Sequence, residues 1–416
     1  MSRLIVLFLF LALITSLEVY CYAGLEILFG DHTLFSYLYW ALTMFIYLSF
    51  VKAFVDLNRG ARSIRSAFTN WLLGFGFAVV ISKIVFLGLL AVQDVGRLII
   101  GLGFEINAFF GGTEQSMPDR AVLLTGISAF LASIPLASMI YGISCGKYNY
   151  KVEKTTLGFS DLPTAFDGFK IIQISDIHAG SFDSFEQVKK GVDLILAQKP
   201  DLIVFTGDLV NSMKEEIDPF LDIFSALDAP FGMYSILGNH DYYGMYQVAK
   251  NDPMARSVYM DDFNKKHQRI GFSLLNNQNV AITKNNETIR IIGVENWGSG
   301  PFPKKGDLNL ALNGVDQDAF SILLSHDPTH WDHHVLPNPK KIHLTLSGHT
   351  HGMQFGINIG SFKWSPVKYR YKRWMGLYEE ANQFLYVNRG FGFLAWPGRV
   401  GMSPEITLIE LKKAGA

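Results

Sequence analysis

The stretch HLTLSGHTHGMQFG, residues 343 to 356, decides how the second half of this chain is read. A short apolar run stops at Gly348, and two histidines, His349 and His351, follow one residue apart. Side chains two apart in an extended chain share a face. Alternation would therefore aim both imidazoles to one side, an arrangement that suits a metal ion. Gly348 and Gly352 permit a sharp turn and a close backbone approach. Taken alone, the stretch is equally well a polar turn that happens to hold two histidines.

The same arrangement recurs outward from it. KIIQIS (170–175) stops at Asp176-Ile177-His178, DLIVFT (201–206) at Gly207-Asp208, and MYSIL (233–237) at Gly238-Asn239-His240-Asp241. SILLS (321–325) stops at His326-Asp327-Pro328. Helical patterns separate the first three runs, one with Phe185, Val188, Val192 and Ile195 on a face, the next with Ile217, Phe220, Leu221, Phe224 and Leu227. Strand and helix in this rhythm predict a parallel α/β unit, whose sites form beyond the carboxyl ends of the strands. One Asp or His at a strand end is commonly a cap or turn residue. Five such endings in order predict a metal site instead.

Asp, His and Asn form a nitrogen and oxygen ligand set without thiolate. That disfavours structural zinc and fits a catalytic site for manganese, iron or zinc. Seven ligands exceed what one ion with an open position takes, but suit two ions sharing a carboxylate. Such a pair activates water at neutral pH and stabilises charge on a phosphoryl group.

In order, Asp176-x-His178, Gly207-Asp208, Gly238-Asn239-His240-Asp241, His326 and Gly348-His349-x-His351 resemble the five-part signature of calcineurin-like metallophosphoesterases, over residues from about 165 to the end. The resemblance implies an α/β metallophosphoesterase domain in which two mixed β-sheets pack together between helices. It also implies two divalent ions, manganese preferred over iron or zinc. The first would take Asp176, His178, Asp208 and His351, and the second Asp208, Asn239, His326 and His349, with Asp208 bridging. His240 would stabilise the transition state and protonate the leaving group, with Asp241 and Asn211 behind the ligands. One departure stands out. Some members carry a second Asp three residues after the bridging one, and this chain has Asn211 there. An amide fixes an imidazole ring but does not stabilise its protonated form by charge. The segments LPTAFDGFKIIQISDIHAG and NRGFG…PGRVGMSPEITLIEL resemble the membrane-associated bacterial branch of the family, similar to enzymes that cleave UDP-diacylglucosamine at its pyrophosphate.

The first part of the chain reads differently. Of 416 residues 49% are hydrophobic, and the excess lies before residue 146. Four apolar segments, Leu4 to Tyr22, Leu34 to Val55, Trp71 to Val92 and Ala121 to Ile143, approach the ~20 residues needed to cross a bilayer. The expected division is a transmembrane helical domain over 1–146, a juxtamembrane linker with a leading strand over 147–168, and the metallophosphoesterase domain over 169–416. Residues 1–23 fit either a retained span or a cleaved signal segment. Arg59, Arg62 and Arg65 in one loop, with Lys147, Lys151 and Lys154 after the fourth span, put the catalytic domain in the cytoplasm. The bacterial resemblance makes the membrane an inner membrane. Lys83, inside the third span, reads as paired or snorkelled. The loop 93–120 carries a candidate interfacial helix over 95–110. Cys21 and Cys145 form no disulfide framework.

A net charge of −1 argues against a nucleic-acid partner. FKWSPVKYRYKRWMGLY (362–378) interleaves Lys363, Lys368, Arg370, Lys372 and Arg373 with aromatics. It reads as a solvated loop packing its rings on the core, or as a patch meeting anionic headgroups or a phosphate-containing substrate. Arg389 is a further candidate contact. His330, His333, His334, Lys304 and Lys305 read as solvated loop residues. The expected function is a membrane-anchored hydrolase of a phosphoester or pyrophosphate bond, preferably in a lipid or nucleotide-linked lipid. The alternatives are an enzyme acting on a soluble nucleotide or phosphoprotein, and a silent membrane receptor or scaffold. A scaffold would be expected to lack a ligand, and none is missing. Nothing in the sequence specifies an oligomeric state.

Overall fold

The computed structural model describes residues 3–30, 32–58, 67–249 and 251–415. Arg59, Arg62 and Arg65, which enter the orientation reading, lie outside the described residues. The chain divides into two compact units that change over between Ile143 and Ser144.

Among the described residues the first unit holds four helices, α1 (Arg3–Phe29), α2 (Thr33–Asn58), α3 (Ala67–Phe109) and α4 (Val122–Ser144). Among the described residues three stretches, in α2, α3 and α4, are long and apolar enough to cross a membrane. The expected loop 93–120 is shortened to residues 110–121, and the candidate helix over 95–110 is the continuation of α3 itself. The helix runs on unbroken for 43 residues, about 64 Å at 1.5 Å per residue. The charge at Asp94, which reads as a span end, is neutralised by Arg97 (2.7 Å) and Arg120, so the helix has no reason to stop. Lys83 is paired, as expected. Its Nζ donates to Glu18 Oε2 at 2.6 Å and to Thr43 Oγ1 at 3.1 Å. Tyr39 and Tyr47 donate to the same Glu18 carboxylate at 2.7 and 2.8 Å. An unpaired charge within a span costs about 2.5–3.5 kcal/mol or more, so these donors are what makes Glu18 tolerable there.

The second unit is built on two six-stranded mixed sheets. The first is made by β1 (Lys151–Phe159), β2 (Lys170–Ile174), β3 (Leu202–Phe205), β4 (Met233–Ser235), β5 (Ser273–Leu274) and β14 (Glu405–Lys413), in the order β1-β14-β2-β3-β4-β5. The second is made by β6 (Gln278–Lys284), β7 (Glu287–Gly293), β8 (Ser321–Leu324), β9 (Leu344–Ser347), β12 (Gly376–Glu380) and β13 (Gln383–Val387), in the order β12-β13-β9-β8-β7-β6. A separate ribbon pairs β10 (Ile357–Ile359) with β11 (Phe362–Trp364). β1 lies within the stretch expected to hold a linker and a leading strand, and as an edge strand it leaves seven of its nine side chains at least partly exposed, which is why that stretch also reads as polar.

β2, β3, β8 and β9 are fully buried or nearly so, which is why they read as continuous apolar runs. Their alternate residues serve two layers. Ile171, Leu202 and Val204 meet Ile322, Leu324, Leu344 and Leu346 between the sheets. Ile172, Ile174, Ile203 and Phe205 face outward onto α5 (Phe185–Ala197), α6 (Leu221–Phe224), α7 (Tyr243–Ala249) and α8 (Pro253–Ile270). Burying each such aliphatic side chain contributes about 1.5–3 kcal/mol. The helical pattern around Ile217 is only partly realised. A tight turn over Lys214–Phe220, containing Pro219, precedes the one-turn α6.

Candidate metal centre

The five strand endings read from the sequence converge. β2, β3 and β4 run parallel in one sheet, and β8 and β9 run parallel in the other, so their carboxyl ends bring separate loops together. Asp176, His178 and His351 form one group of potential ligands, and Asp208, His326 and His349 form a second. In the first, His178 Nε2 lies 3.0 Å from His351 Nε2, which lies 3.2 Å from Asp176 Oδ1. In the second, His326 Nε2 is 3.2 Å from Asp208 Oδ2, and His349 Nδ1 is 3.3 Å from His326 Nε2. Asn239 joins the second group, its Oδ1 at 2.8 Å from His349 Nδ1 and 3.2 Å from His326 Nε2. Asp208 Oδ2 also lies 3.5 Å from His178 Nε2, so one oxygen adjoins both groups.

One expectation is overturned. His349 and His351 do not share a side of a strand. β9 ends at Ser347, and both histidines lie beyond it with left-handed backbones (φ 71° and 52°), so their rings turn to different groups. Asp176, His178 and Asp208 are left-handed too, at φ 50°, 47° and 61°. Each such residue costs roughly 1–2 kcal/mol, and strain of this kind persists only where the surroundings over-determine it. Close packing leaves no room beside the ligands. A Cβ on Gly238 would lie 2.1 Å from Asp208 Oδ1, and one on Gly348 would lie 2.2 Å from Asp176 Oδ2.

The rings are fixed from behind. His326 Nδ1–H donates to the Thr206 carbonyl at 2.7 Å, and His178 Nδ1–H to the Val210 carbonyl at 3.2 Å, which turns each Nε2 inward as the potential ligand atom. His349 is turned the other way. Its Nε2 meets the Tyr371 hydroxyl at 2.7 Å and lies 3.5 Å from Asp327 Oδ2. Arg399, fully buried, donates to His351 Nδ1 and to carbonyls of the closing glycine-rich loop. Asp241 accepts from the amides of Asp208, Leu209 and Gly238 at 2.9, 2.8 and 2.8 Å. Burial, and then the charge of Asp208, push its carboxyl up to about 8 against those donors.

Burial also works against the charge on Asp208, but the adjoining His326, His240 and His178 outweigh it and hold that carboxylate well below the usual range. The same pairing lifts His326 to about 10 despite its burial, while burial drives His178 well below its usual value. Buried nitrogens and carboxylate oxygens this close suit shared cations better than each other. The donor set therefore fits divalent ions.

His240 stands beside the cage, its ring centroid 5.0 Å from that of His178, and is only partly buried. Asn211 supports it differently from the expectation. The Asn211 amide bonds Ser181 Oγ, and its main-chain carbonyl accepts from His240 Nδ1 at 2.7 Å. Among the proposed contacts, Lys363, Lys368, Arg370 and Lys372 are exposed. Arg373 and Arg389 are not available. Arg373 is buried, pairs with Glu380 and Asp332 and lies 4.8 Å over the Trp331 ring. Arg389 is buried and paired with Glu405 and Glu153. His330 is likewise buried, bonded to Ser325 Oγ at 2.8 Å. Sequence reading missed Tyr371 and Asp327 as partners of His349. Asp327, next to the ligand His326, carried a signal; Tyr371, in an irregular loop, carried none.

Residues 2–147 match the family described as "Probable Calcineurin-like phosphoesterase, transmembrane domain", and residues 169–353 match "Calcineurin-like phosphoesterase". An uncharacterized metallophosphoesterase, YkuE, of Bacillus subtilis is 30% identical over 305 residues, 72% of this chain and 99% of its own. UDP-2,3-diacylglucosamine pyrophosphatase LpxG of Chlamydia trachomatis is 29% identical over 334 residues, 68% of this chain and 97% of its own. A transmembrane protein with metallophosphoesterase domain of Bos taurus is 29% identical over 316 residues, 75% of this chain and 68% of its own. With both its membrane helices and its ligand-bearing loops matched, the chain belongs to the calcineurin-like metallophosphoesterases, as an integral-membrane, metal-dependent phosphoric ester hydrolase.

Proposed function

We propose that this enzyme hydrolyses a phosphoester or pyrophosphate bond in a lipid or nucleotide-linked lipid at the cytoplasmic leaflet of a bacterial inner membrane. The observation that carries the reading is Asp208 Oδ2, which adjoins His178 Nε2 at 3.5 Å and His326 Nε2 at 3.2 Å. Asp176, His178, Asp208 and His351 would hold one ion, and Asp208, Asn239, His326 and His349 the other, manganese before iron or zinc. Two such ions, when bound, activate a water molecule and stabilise charge on the phosphoryl oxygens.

The chain's own contribution is positional. His240 keeps its proton on Nδ1, where the Asn211 carbonyl holds it, so Nε2 is the nitrogen left to meet substrate. A carbonyl does not stabilise an imidazolium as a carboxylate does. Neutral His240 therefore presents the Nε2 lone pair to substrate, and it donates from Nε2 to a phosphoryl oxygen only as the imidazolium. Lys147, Lys151 and Lys154, directly after α4, favour the cytoplasmic side. The name of the Chlamydia relative, aligned along 97% of its length, supports a lipid pyrophosphate over a soluble nucleotide or a phosphoprotein.

The test is turnover by the full chain in detergent with manganese. The panel comprises UDP-diacylglucosamine, phospholipids, a chromogenic diester, nucleotides and a phosphopeptide. The highest kcat/KM is expected on a lipid-linked substrate, and a higher value on a nucleotide or phosphopeptide would overturn that choice. His240→Ala should lower kcat by about 10²–10⁴-fold while metal content stays unchanged. Loss of metal in that variant would contradict the role given to His240.

A further inference from the structure

The β10–β11 ribbon belongs to neither large sheet. Its register pairs Ile357 with Trp364, Asn358 with Lys363, and Ile359 with Phe362. Directly opposed residues share a face, and successive ones alternate. Ile357, Ile359, Phe362 and Trp364 therefore form one wholly apolar face, with Asn358 and Lys363 behind it. Such a face belongs in a core, yet Ile359 is 75% exposed, Phe362 59% and Ile357 41%. Tyr369, 77% exposed, continues it by accepting a hydrogen bond from Trp364 Nε1. An isolated two-stranded ribbon is marginal in water, and a concentrated apolar patch on it marks a binding surface.

The ribbon and the loop that follows it carry charge. Lys363, Lys368 and Arg370 are exposed and form no ion pair with a carboxylate among the described residues, in contrast to the paired Arg373. Trp364 and Tyr369, joined through Trp364 Nε1–H and the Tyr369 hydroxyl, are the kind of amphipathic rings enriched at membrane interfaces. The chain reaches this unit directly from α4, through residues 145–150.

We propose that the apolar face of the β10–β11 ribbon docks onto the anionic lipid surface of the membrane that holds the helices. Ile359 and Phe362 would enter the boundary between headgroups and acyl chains, Lys368 and Arg370 would lie against lipid phosphates, and Lys363, on the other side of the ribbon, would add to the attraction at longer range. Uncompensated cations around an apolar face match an anionic bilayer better than a second copy of the same cationic surface. The same segment ends at Tyr371, whose hydroxyl meets His349, so one residue joins the docked surface to the metal cage. The inference concerns where this unit sits, whatever bond it cleaves.

The test uses the full chain, one molecule per nanodisc, in phosphatidylcholine alone or mixed with phosphatidylglycerol. Exposed Cys145 is replaced by serine, Cys21 being buried. An environment-sensitive dye is then placed through Ile359→Cys or, as a control, Asp193→Cys on exposed α5. In the anionic discs, lipids spin-labelled along their chains should quench the dye at 359 several-fold more than at 193. The combined K363E, K368E and R370E variant should bring 359 down to the control level. Raised salt should weaken the quenching in the unaltered cationic protein, which covers the case of a variant that does not fold. Equal quenching at both sites, or quenching indifferent to phosphatidylglycerol and salt, overturns the proposal. So does protection of the dye only after a lipid substrate is added, which would make the face an acyl-chain groove, or only in concentrated detergent, which would make it a contact between copies. Because no substrate is needed for the readout, failure of docking and failure of the proposed reaction are separately visible.

Discussion

The metal cage and the β10–β11 ribbon follow one another along the chain, and they are held in opposite ways. The cage is buried, polar and strained, with Asp176, His178, Asp208, His349 and His351 all in left-handed conformations. Loops from both sheets close on it, so its shape is imposed from outside. The ribbon is exposed and apolar on one face, and it is tied down only at its base, where Gly356 N–H donates to the Val400 carbonyl and Ser365 Oγ to the Gly352 carbonyl among the described residues. Strain accumulates where the scaffold can resist it, and adhesive surface where the scaffold lets go. A change in the cage should therefore cost function through geometry, whereas a change in the ribbon should leave the fold intact.

The contrast is sharpest at Asp208. Asp208→Asn should lower turnover by roughly 10³-fold or more and reduce bound metal at both groups, measured by steady-state kinetics with elemental analysis. Unchanged metal content would remove the bridging role. A smaller effect is expected where the two regions touch. Tyr371→Phe removes the hydroxyl at 2.7 Å from His349 Nε2 and should weaken metal affinity about 10-fold. A metal titration of activity should show the shift, while kcat at saturating metal stays near the parent value. A fall in kcat alone would mean that Tyr371 touches substrate instead of positioning the ring. The smallest effect belongs to the ribbon itself. Ile359→Ser, at a side chain already 75% exposed, should change unfolding stability by less than about 0.5 kcal/mol. A larger loss in chemical denaturation would show that the face is covered by protein.

What could be read from sequence follows the same division. Ligands that end buried strands announce themselves, because an apolar run makes the polar residue after it conspicuous. That exposed the positions of Asp176, Asp208, Asn239, His326 and His349 as a set. The distribution of His349 and His351 between two groups was hidden from alternation, since both residues leave the strand first. Arg373 and Arg389 look like surface cations because their partners, Glu380, Asp332, Glu405 and Glu153, are mostly far along the chain. Asn211 supports His240 with a carbonyl, and a main-chain atom has no signature in residue type. The unbroken α3 is the nearest miss. Arg97, three residues after Asp94, is a local clue that the charge there is answered.

Asp241 links these points. Its single carboxylate gathers main-chain amides from the ends of two different strands, at Asp208 and Leu209 on one side and Gly238 on the other. Neither loop can retreat without stripping the other of its anchor. The centre is thus one mechanical piece, and injury to either half should spread to both instead of leaving a half-working site.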